Sequence, residues 1–571
     1  MKKSMVKKLF ALLLVILMVV SFAACNKNAD DGNSNAVNTS NSGGNAESSS
    51  NAGGNTGGDT GGNTGGSAEG NTGGDIGSGT GTPASGKDTI VIAVTQDKGI
   101  FDPCATNDID LYPCISQMFY EPLWRTNPAG EFVYVLATGY EWIDPLTMHV
   151  HIREGVNFTD GQMLDAYDVL FSLVRFKHRE GQPDAFAQLS EELSSVVDDY
   201  TVELVFTEVN TNIPYAIPGY PILKNNVPSD QVATSPNGTG PYVISEYVIN
   251  SLLVVTQKDN YWRELPKTKN FEFVQLKEDA QRVNALQTGE VDIAGVPFQD
   301  IEFVQGLPDI DMQLNGSAFS QGVFFSISPD SPNGGVFYNN PDARKAVCYA
   351  INRKAIAKLV YYDYCKVSVL PGADFNLLDV DERFYKQGPY ADDGYNPDYA
   401  RELAISSGLV DKEILLINNG ASPVVLMCEL IQADLKAIGV TCTVNSFDMG
   451  SWTQNLFDET KYNMCIDGIV GGNNSLSGAL RWGSIMGGGS YRTYEWPGRD
   501  RYYEITGMIF SVTEPAQRLA LNYEMFEMAM DNLFWFSIAD QVNGLAVNSG
   551  LRGNPKDSGG RNSYWSELYW G

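Results

Sequence analysis

The chain has 571 residues, 43% of them hydrophobic, and a formal net charge of −30. That is enough apolar material for a large core shared among more than one domain. A body this acidic repels phosphate backbones and anionic headgroups, which excludes nucleic acid and bare anionic lipid as partners.

Lys2, Lys3, Lys7 and Lys8 precede an apolar run from Leu9 to Val20. The run falls short of the ~20 residues a spanning helix needs, so residues 1–24 read as a secretory signal. Its removal, with the four lysines, takes the charge from −30 to −34. Ser21-Phe22-Ala23-Ala24-Cys25 resembles a lipobox, with Phe22 where Leu is usual. The resemblance implies cleavage before Cys25 and a diacylglycerol thioether on its sulfur, and each buried CH2 of those acyl chains contributes ~0.8 kcal/mol to membrane binding. Plain secretion with an incidental Cys25 is the alternative. Residues 25–87 are almost wholly Gly, Asn, Ser, Thr, Asp and Ala, in repeats such as GGNTGGDTGGNTGG. So few apolar groups cannot offset ordering entropy, and a disordered tether spanning ~40–45 Å is expected. Gly81 to Lys87 matches a phosphate-binding loop except that Asp88 stands where Ser or Thr would hold magnesium, and it precedes a strand instead of following one.

From Thr89 the pattern is that of a globular body. Thr89 to Thr95 is a continuous apolar strand suited to a sheet covered on both faces. A turn at Asp102-Pro103 leads to a helix bearing Ile115, Met118 and Phe119, and Tyr120-Glu121-Pro122-Leu123 is expected to return to the sheet. Thr147 to Arg153 alternates as a strand, Gly155 to Gly161 makes a tight turn, and Asp165 caps a helix bearing Val169, Leu170, Leu173 and Val174. Asn237-Gly238-Thr239-Gly240-Pro241-Tyr242 is a turn before a strand. Tyr261-Trp262-Arg263 is expected to close a strand, Phe271 to Gln275 forms a strand, and Asp279 is expected to cap a helix that stops at Gly289. Strands are expected at Phe319–Ser328 and Tyr462–Ile466, with helices opened by Pro341, Asn396-Pro397, Ser422-Pro423 and Glu514-Pro515. Alternating strands and helices argue α/β layering.

Several of these runs resemble one family. REGVNFTDGQMLDAYDVLFSLVR, Gly238-Thr239-Gly240-Pro241-Tyr242 with its preceding Asn237, NYWR followed by Ala285-Leu286-Gln287-Thr288-Gly289-Glu290-Val291-Asp292, and NNPDARKAVCYAINRKAIAKLV are similar to signatures of the extracellular solute-binding proteins of the peptide/nickel class, the receptors of ABC importers. The resemblance covers nearly all of Asp88 to Gly571. It implies an α/β, periplasmic-binding-protein type II-like fold with two lobes, a hinge and an additional smaller domain on the main lobe. It also implies these boundaries: 88–130 main lobe, 131–234 small domain, 235–315 main lobe, 316–539 second lobe and 540–571 returning to the main lobe. The implied partners are a captured solute, a membrane permease and its ATPase subunits, with no cofactor and no metal. The chain is expected to act as a monomer, lipid-anchored at the outer face of the cytoplasmic membrane of a Gram-positive envelope.

In the family the cleft receives the loop after the first strand, which makes Lys98, Asp108 and Tyr112 candidate ligand contacts. Phe319 lies on the strand expected to cross between lobes. The loop from Asp467 to Trp482 should set ligand identity. In peptide-binding relatives it carries a Trp and then an Asp that grips the α-ammonium. Here Ile469 stands at the Trp position and Gly472 or Asn473 at the Asp position, so that charged anchor is missing from its usual place. Gly471 and Gly472 allow close backbone approach, and Asn473 and Asn474 both donate and accept. Trp482 closes the stretch. An oligopeptide leads as the ligand. Oligosaccharides, opines and metal chelates are the alternatives.

An anchored hydrolase and an adhesive surface protein are the rival classes. No GxSxG, HExxH or Cys/His signature is present. His149 and His151 share one strand face, but a catalytic zinc wants three ligands and no third is near in sequence. Seven cysteines remain after Cys25, none spaced as CxxC. Cys348, Cys428, Cys442 and Cys465 lie in regular patterns where a thiol acts as a small apolar group, and Cys104–Cys114 is the pair expected if one forms.

Overall fold

The structure is a computed structural model. It describes residues 87–97, 99–105, 115–127, 131–178, 188–211, 213–374, 377, 379–470, 476–483, 490–553 and 565–571. The first strands are β1 (Thr89–Val94), β2 (Trp124–Thr126), β3 (Phe132–Tyr134), β4 (Ala137–Asp144), β5 (Thr147–Ile152), β6 (Ser195–Asp198), β7 (Thr201–Val205), β8 (Tyr242–Val248) and β9 (Leu252–Gln257). They are followed by β10 (Asn270–Gln275), β11 (Ile293–Gly295), β12 (Ile310–Phe325), β13 (Lys366–Val367), β14 (Glu413–Asn418), β15 (Thr441–Ser446), β16 (Met464–Val470) and β17 (Trp535–Asn548).

An eleven-stranded mixed sheet runs β15-β14-β16-β12-β17-β11-β1-β10-β9-β8, with β13 beside β17. β1 lies between β10 and β11, parallel to both, as its apolar run requires. β12 and β17 are the long strands and belong to both halves. Ile310 to Gly316 pairs with Val542 to Asn548, and Ser320 to Phe324 pairs with Trp535 to Asp540. The register breaks between Gly316 and Ser320. On one side of the break β17 pairs with β11; on the other, β12 pairs with β16. The sequence pattern suggested a strand only from Phe319. Gly316 and Gly544 weaken the local signal, and pairing on both flanks supplies what propensity does not.

Apolar side chains cover both faces of the sheet beyond the break. Val323, Ile414, Leu416 and Ile466 pack with the helices Pro341–Ala350 and Ser422–Ala437 on one face. Phe324, Cys465 and Trp535 pack with Leu476–Gly483, Arg499–Met508 and Pro515–Asn532 on the other. A separate four-stranded sheet, β4-β5-β7-β6, packs Met148, Val150, Val202 and Leu204 against Val169 and Leu173 of the helix Ala166–Lys177. Asp165 caps that helix in a reciprocal box with Asp168. Gly289 ends Asp279–Thr288 with φ 73°, as expected. Asp279 is the first residue of that helix, and Glu278 holds the cap position. Asp279 instead pairs with Arg282 one turn on, where its charge also suits the helix N-terminus.

Tyr120 to Leu123 does not enter the main sheet. Pro122 makes an isolated bridge to Pro221, and β2 pairs with β3 as a short ribbon. Pro122 has no N–H to give a ladder. Glu121 is nevertheless central. Its buried carboxylate accepts from Tyr261 Oη at 2.8 Å, Trp262 Nε1 at 2.9 Å and Arg263 Nη2 at 2.7 Å. The Tyr-Trp-Arg run is therefore one binding face for a single buried acid. The Gly-Thr-Gly run packs on the backbone just before Glu121, and Gly240 N donates to Phe119 O at 2.9 Å.

Cys348, Cys428, Cys442 and Cys465 are buried free thiols. Burial pushes Cys428 and Cys442 up to about 12, so neither is a nucleophile at neutral pH. Cys114 lies outside the described residues, and so does the expected pairing with Cys104.

Candidate functional site

The site is built where β12 and β17 pass the register break. Phe319 stands opposite Val470, Ser320 opposite Ile469 and Gly322 opposite Asp467, joining two strands about 150 residues apart in sequence. The Phe319 ring lies over Gly468, where a Cβ would come within 1.6 Å of it. Only Gly at 468 admits that ring.

Alternation along β12 and β16, with a second register shift on β17 between the partners of Gln321 and Gly322, puts Ser320, Gly322, Asp467, Ser537 and Asp540 on one face of these strands. Asp540 is buried and fully engaged. Its Oδ1 accepts from Ser368 Oγ at 2.6 Å and its Oδ2 from Asp374 N at 3.0 Å, while Ser320 Oγ lies 3.1 Å from Ser368 Oγ. Ser537 Oγ accepts from Gly372 N at 2.9 Å, so residues 368–374 are strapped across this face. Lys366 pairs with Asp374 instead of Asp540. Burial pushes the Asp540 carboxyl up to about 6.

Asp467 differs. Its side chain is half-buried, and burial pushes its carboxyl up to about 6 as well. Its one bonded partner among the described residues is the neighbouring Gly468 N, at 2.8 Å. It forms no ion pair among the described residues. A half-buried carboxylate without a counter-charge is costly, and such groups concentrate where a ligand supplies the missing partner.

The helix Leu476–Gly483 is tied to residues far along the chain. Asp379 accepts from Leu476 N at 2.7 Å and from Ser477 N at 3.3 Å, capping the helix Leu476–Gly483. Asn522 Nδ2 holds the same carboxylate at 2.8 Å.

The model of the bacterial extracellular solute-binding proteins, family 5, matches residues 131–489. The chain belongs to this family. The glutathione-binding protein GsiB of Salmonella paratyphi A is 24% identical over 385 residues, covering 64% of this chain and 71% of its own. The substrate-binding protein CtaP of Listeria monocytogenes superposes with a TM-score of 0.72 at 20% identity, over 85% of this chain and 100% of that one. The oligopeptide-binding protein AppA of Bacillus subtilis, solved with a nonapeptide, gives 0.67 at 18% identity, over 86% and 99%. NikA of Staphylococcus aureus, solved with Ni(L-His)2, gives 0.68 at 17%, over 85% and 100%. The fold is thus the type II-like binding-protein fold that the sequence motifs implied. The family consists of solute-binding proteins of ABC importers and not of enzymes, which sets aside the hydrolase alternative.

Of the residues singled out from sequence in this family 5 protein, Phe319 and Ile469 lie on adjacent strands at the break. Lys98, Asp108, Tyr112, Gly471, Gly472, Asn473 and Asn474 lie outside the described residues, as do Cys25 and the side chain of Trp482. Ile469 is inside β16 and not in the loop that follows, because pairing with Ser320 extends that strand to Val470. Sequence reasoning passed over Asp540, although an acid inside the apolar run Trp535-Phe536-Ser537-Ile538-Ala539-Asp540 was a usable signal. His149 and His151 face Glu203 at 2.8 Å and Glu141 at 3.5 Å.

A pH dependence follows. Burial also raises Asp168 to about 6. For Asp168, Asp467 and Asp540 the folded-state value lies above the ordinary carboxyl value near 3.8. The folded protein then keeps protons that the unfolded chain has lost, so these groups stabilise fully below about 4 and lose that contribution as pH rises to about 6. Their joint contribution makes the melting temperature rise as pH falls from 8 to 5. Asp467→Asn, whose amide oxygen still accepts from Gly468 N, should raise the melting temperature at pH 8 and flatten the profile between 5 and 7. Melting curves across this range check both.

Proposed function

We propose that this protein is the lipid-anchored receptor of an ABC importer, capturing an oligopeptide outside the cell by closure of two lobes about the β12–β17 crossing. The ligand presents a cation to Asp467. Cys25 carries the anchor, residues 25–87 span from membrane to receptor, and the closed form engages a permease and its ATPase subunits. The carrying observation is the half-buried Asp467 carboxylate, which has no cationic partner among the described residues and lies on the strand that ends at Val470, just before residues 471–475. It is a substitute for the acid missing at 472 and 473. Two proteins of the same fold are solved with peptides, AppA with a nonapeptide and DppA of Helicobacter pylori with the peptide STSA, which supports this ligand class.

Thermal unfolding of the purified protein with peptide pools, oligosaccharides and nickel chelates is the test. A ligand at 100 times its Kd adds ~2.7 kcal/mol, a visible shift. Peptides with free amino termini should raise the melting temperature, and the same peptides N-acetylated should not. Asp467→Asn should weaken binding at least tenfold while stabilising the unliganded protein at pH 8, a trade-off expected of a group kept for function. A shift with sugars alone would overturn the peptide assignment. Equal binding of acetylated and free peptides would overturn the role of Asp467.

A further inference from the structure

A second link between the two halves lies outside the strand crossing. Thr211 belongs to the small four-stranded unit, in the loop that follows β7. Its backbone N donates to Phe510 O at 2.7 Å, and its hydroxyl donates to the same oxygen at 2.7 Å. Arg518 Nη2 in turn donates to Thr211 Oγ1 at 2.6 Å. Phe510 and Arg518 stand on the helical layer of the other half, about 300 residues away in sequence.

Both sides are braced within their own halves. Arg518 also donates to Val512 O, from Nη2 at 2.7 Å and from Nε at 3.1 Å, which fixes the turn between the helices Arg499–Met508 and Pro515–Asn532. Ser511 Oγ donates to Met508 O at 2.7 Å. On the opposite side Thr207 N donates to Gln188 O at 2.8 Å and Asn210 Nδ2 to Gln188 Oε1 at 3.1 Å. Two preformed surfaces therefore meet through one threonine, whose donor and acceptor capacities are both used. If the halves rotate about the β12–β17 crossing, bonds within the crossing survive, whereas a contact made outside it is broken and its groups return to water.

We propose that the present arrangement is the closed one, and that Thr211 and Arg518 form a latch that holds it and sets the balance between closed and open forms before ligand arrives. This rests on the two-lobe reading above and adds a determinant outside the ligand contacts. A latch of this kind raises apparent affinity by enlarging the fraction already competent to hold ligand, and it slows release. Hydrogen bonds made only in the closed form, one of them charge-assisted, are enough to shift that balance by about tenfold.

The test uses the full purified chain without ligand. Thr211→Val keeps shape and backbone N–H but removes the hydroxyl; Arg518→Gln removes the charge. Small-angle scattering should show a larger radius of gyration for both variants than for the wild type, and the Thr211 amide should exchange with deuterium about tenfold faster. Melting temperatures of the variants should stay near that of the wild type, because each half keeps its own core. Because Arg518→Gln could also loosen the 509–514 turn, Thr211→Val is the deciding variant. Unchanged scattering and exchange in Thr211→Val would overturn the latch. The scattering change together with no thermal shift from any peptide pool would uphold the latch and overturn the peptide assignment instead.

Discussion

Replacing Glu121 by Ala should cost about 3–5 kcal/mol of stability, the range for removing one partner of a buried, hydrogen-bonded charge group. Its carboxylate is 4% exposed and serves Tyr261, Trp262 and Arg263 together. Without it, the phenol of Tyr261 and the indole N–H of Trp262 are left in partly buried positions with no acceptor, and each orphaned group adds its own desolvation cost. Arg263 is 45% exposed and can turn to water, so Arg263→Ala should cost much less. Glu121→Gln, which keeps an acceptor oxygen and the side-chain shape, should fall between them. Denaturant unfolding of the three variants measures this order. A loss in Arg263→Ala equal to that in Glu121→Ala would show that the ion pair dominates and the neutral donors contribute little.

The second large effect is expected at Gly238 and Gly240, and its cause is steric. A Cβ at Gly238 would lie 2.0 Å from Phe119 O and 2.6 Å from Tyr120 Cδ1; one at Gly240 would lie 2.3 Å from Met118 O. Two of these three obstacles are backbone atoms, which cannot rotate away. The run is pinned on its other side as well. Thr159 Oγ1 donates to Gly238 O at 3.1 Å, and the buried ammonium of Lys258 lies 3.4 Å from the same oxygen and 3.3 Å from Thr239 O. Either Gly→Ala change therefore forces two chain segments apart, and a loss of about 3 kcal/mol, at the upper end for overpacking, is expected. Gly139→Ala and Gly295→Ala are the controls, because a Cβ there meets nothing within 4 Å. Thermal unfolding of the four variants should separate the pairs by several degrees. Equal behaviour of all four would mean that the 118–120 backbone yields easily.

Both effects reside in motifs that were visible in the sequence, yet the sequence did not show why they matter. Tyr261-Trp262-Arg263 read as the close of a strand, yet the run lies outside any strand, and only the tertiary structure turns all three donors toward Glu121, 140 residues earlier. The glycines of Gly238-Thr239-Gly240 read as turn formers, but what they provide is room against another backbone.

The sequence by itself determined the class of the protein. Period-two and period-3.6 patterns, the caps at Asp165, Asn340 and Asn396, and the stop at Gly289 are local, because each depends on backbone geometry within one turn of helix or strand. Ordered along the chain, they argued α/β layering, and the runs that resemble the family's signatures implied the family. Tertiary structure decided the rest. Whether Gly316 and Gly544 interrupt a strand depends on the strands beside them. Whether Asp467 or Asp540 is satisfied depends on donors such as Ser368 and Asp374, which lie far away in the chain. Thr211 carries no signal of its own; Phe510 and Arg518 give it significance from about 300 residues away, because pairing, burial and charge compensation are set by neighbours in space and not in sequence.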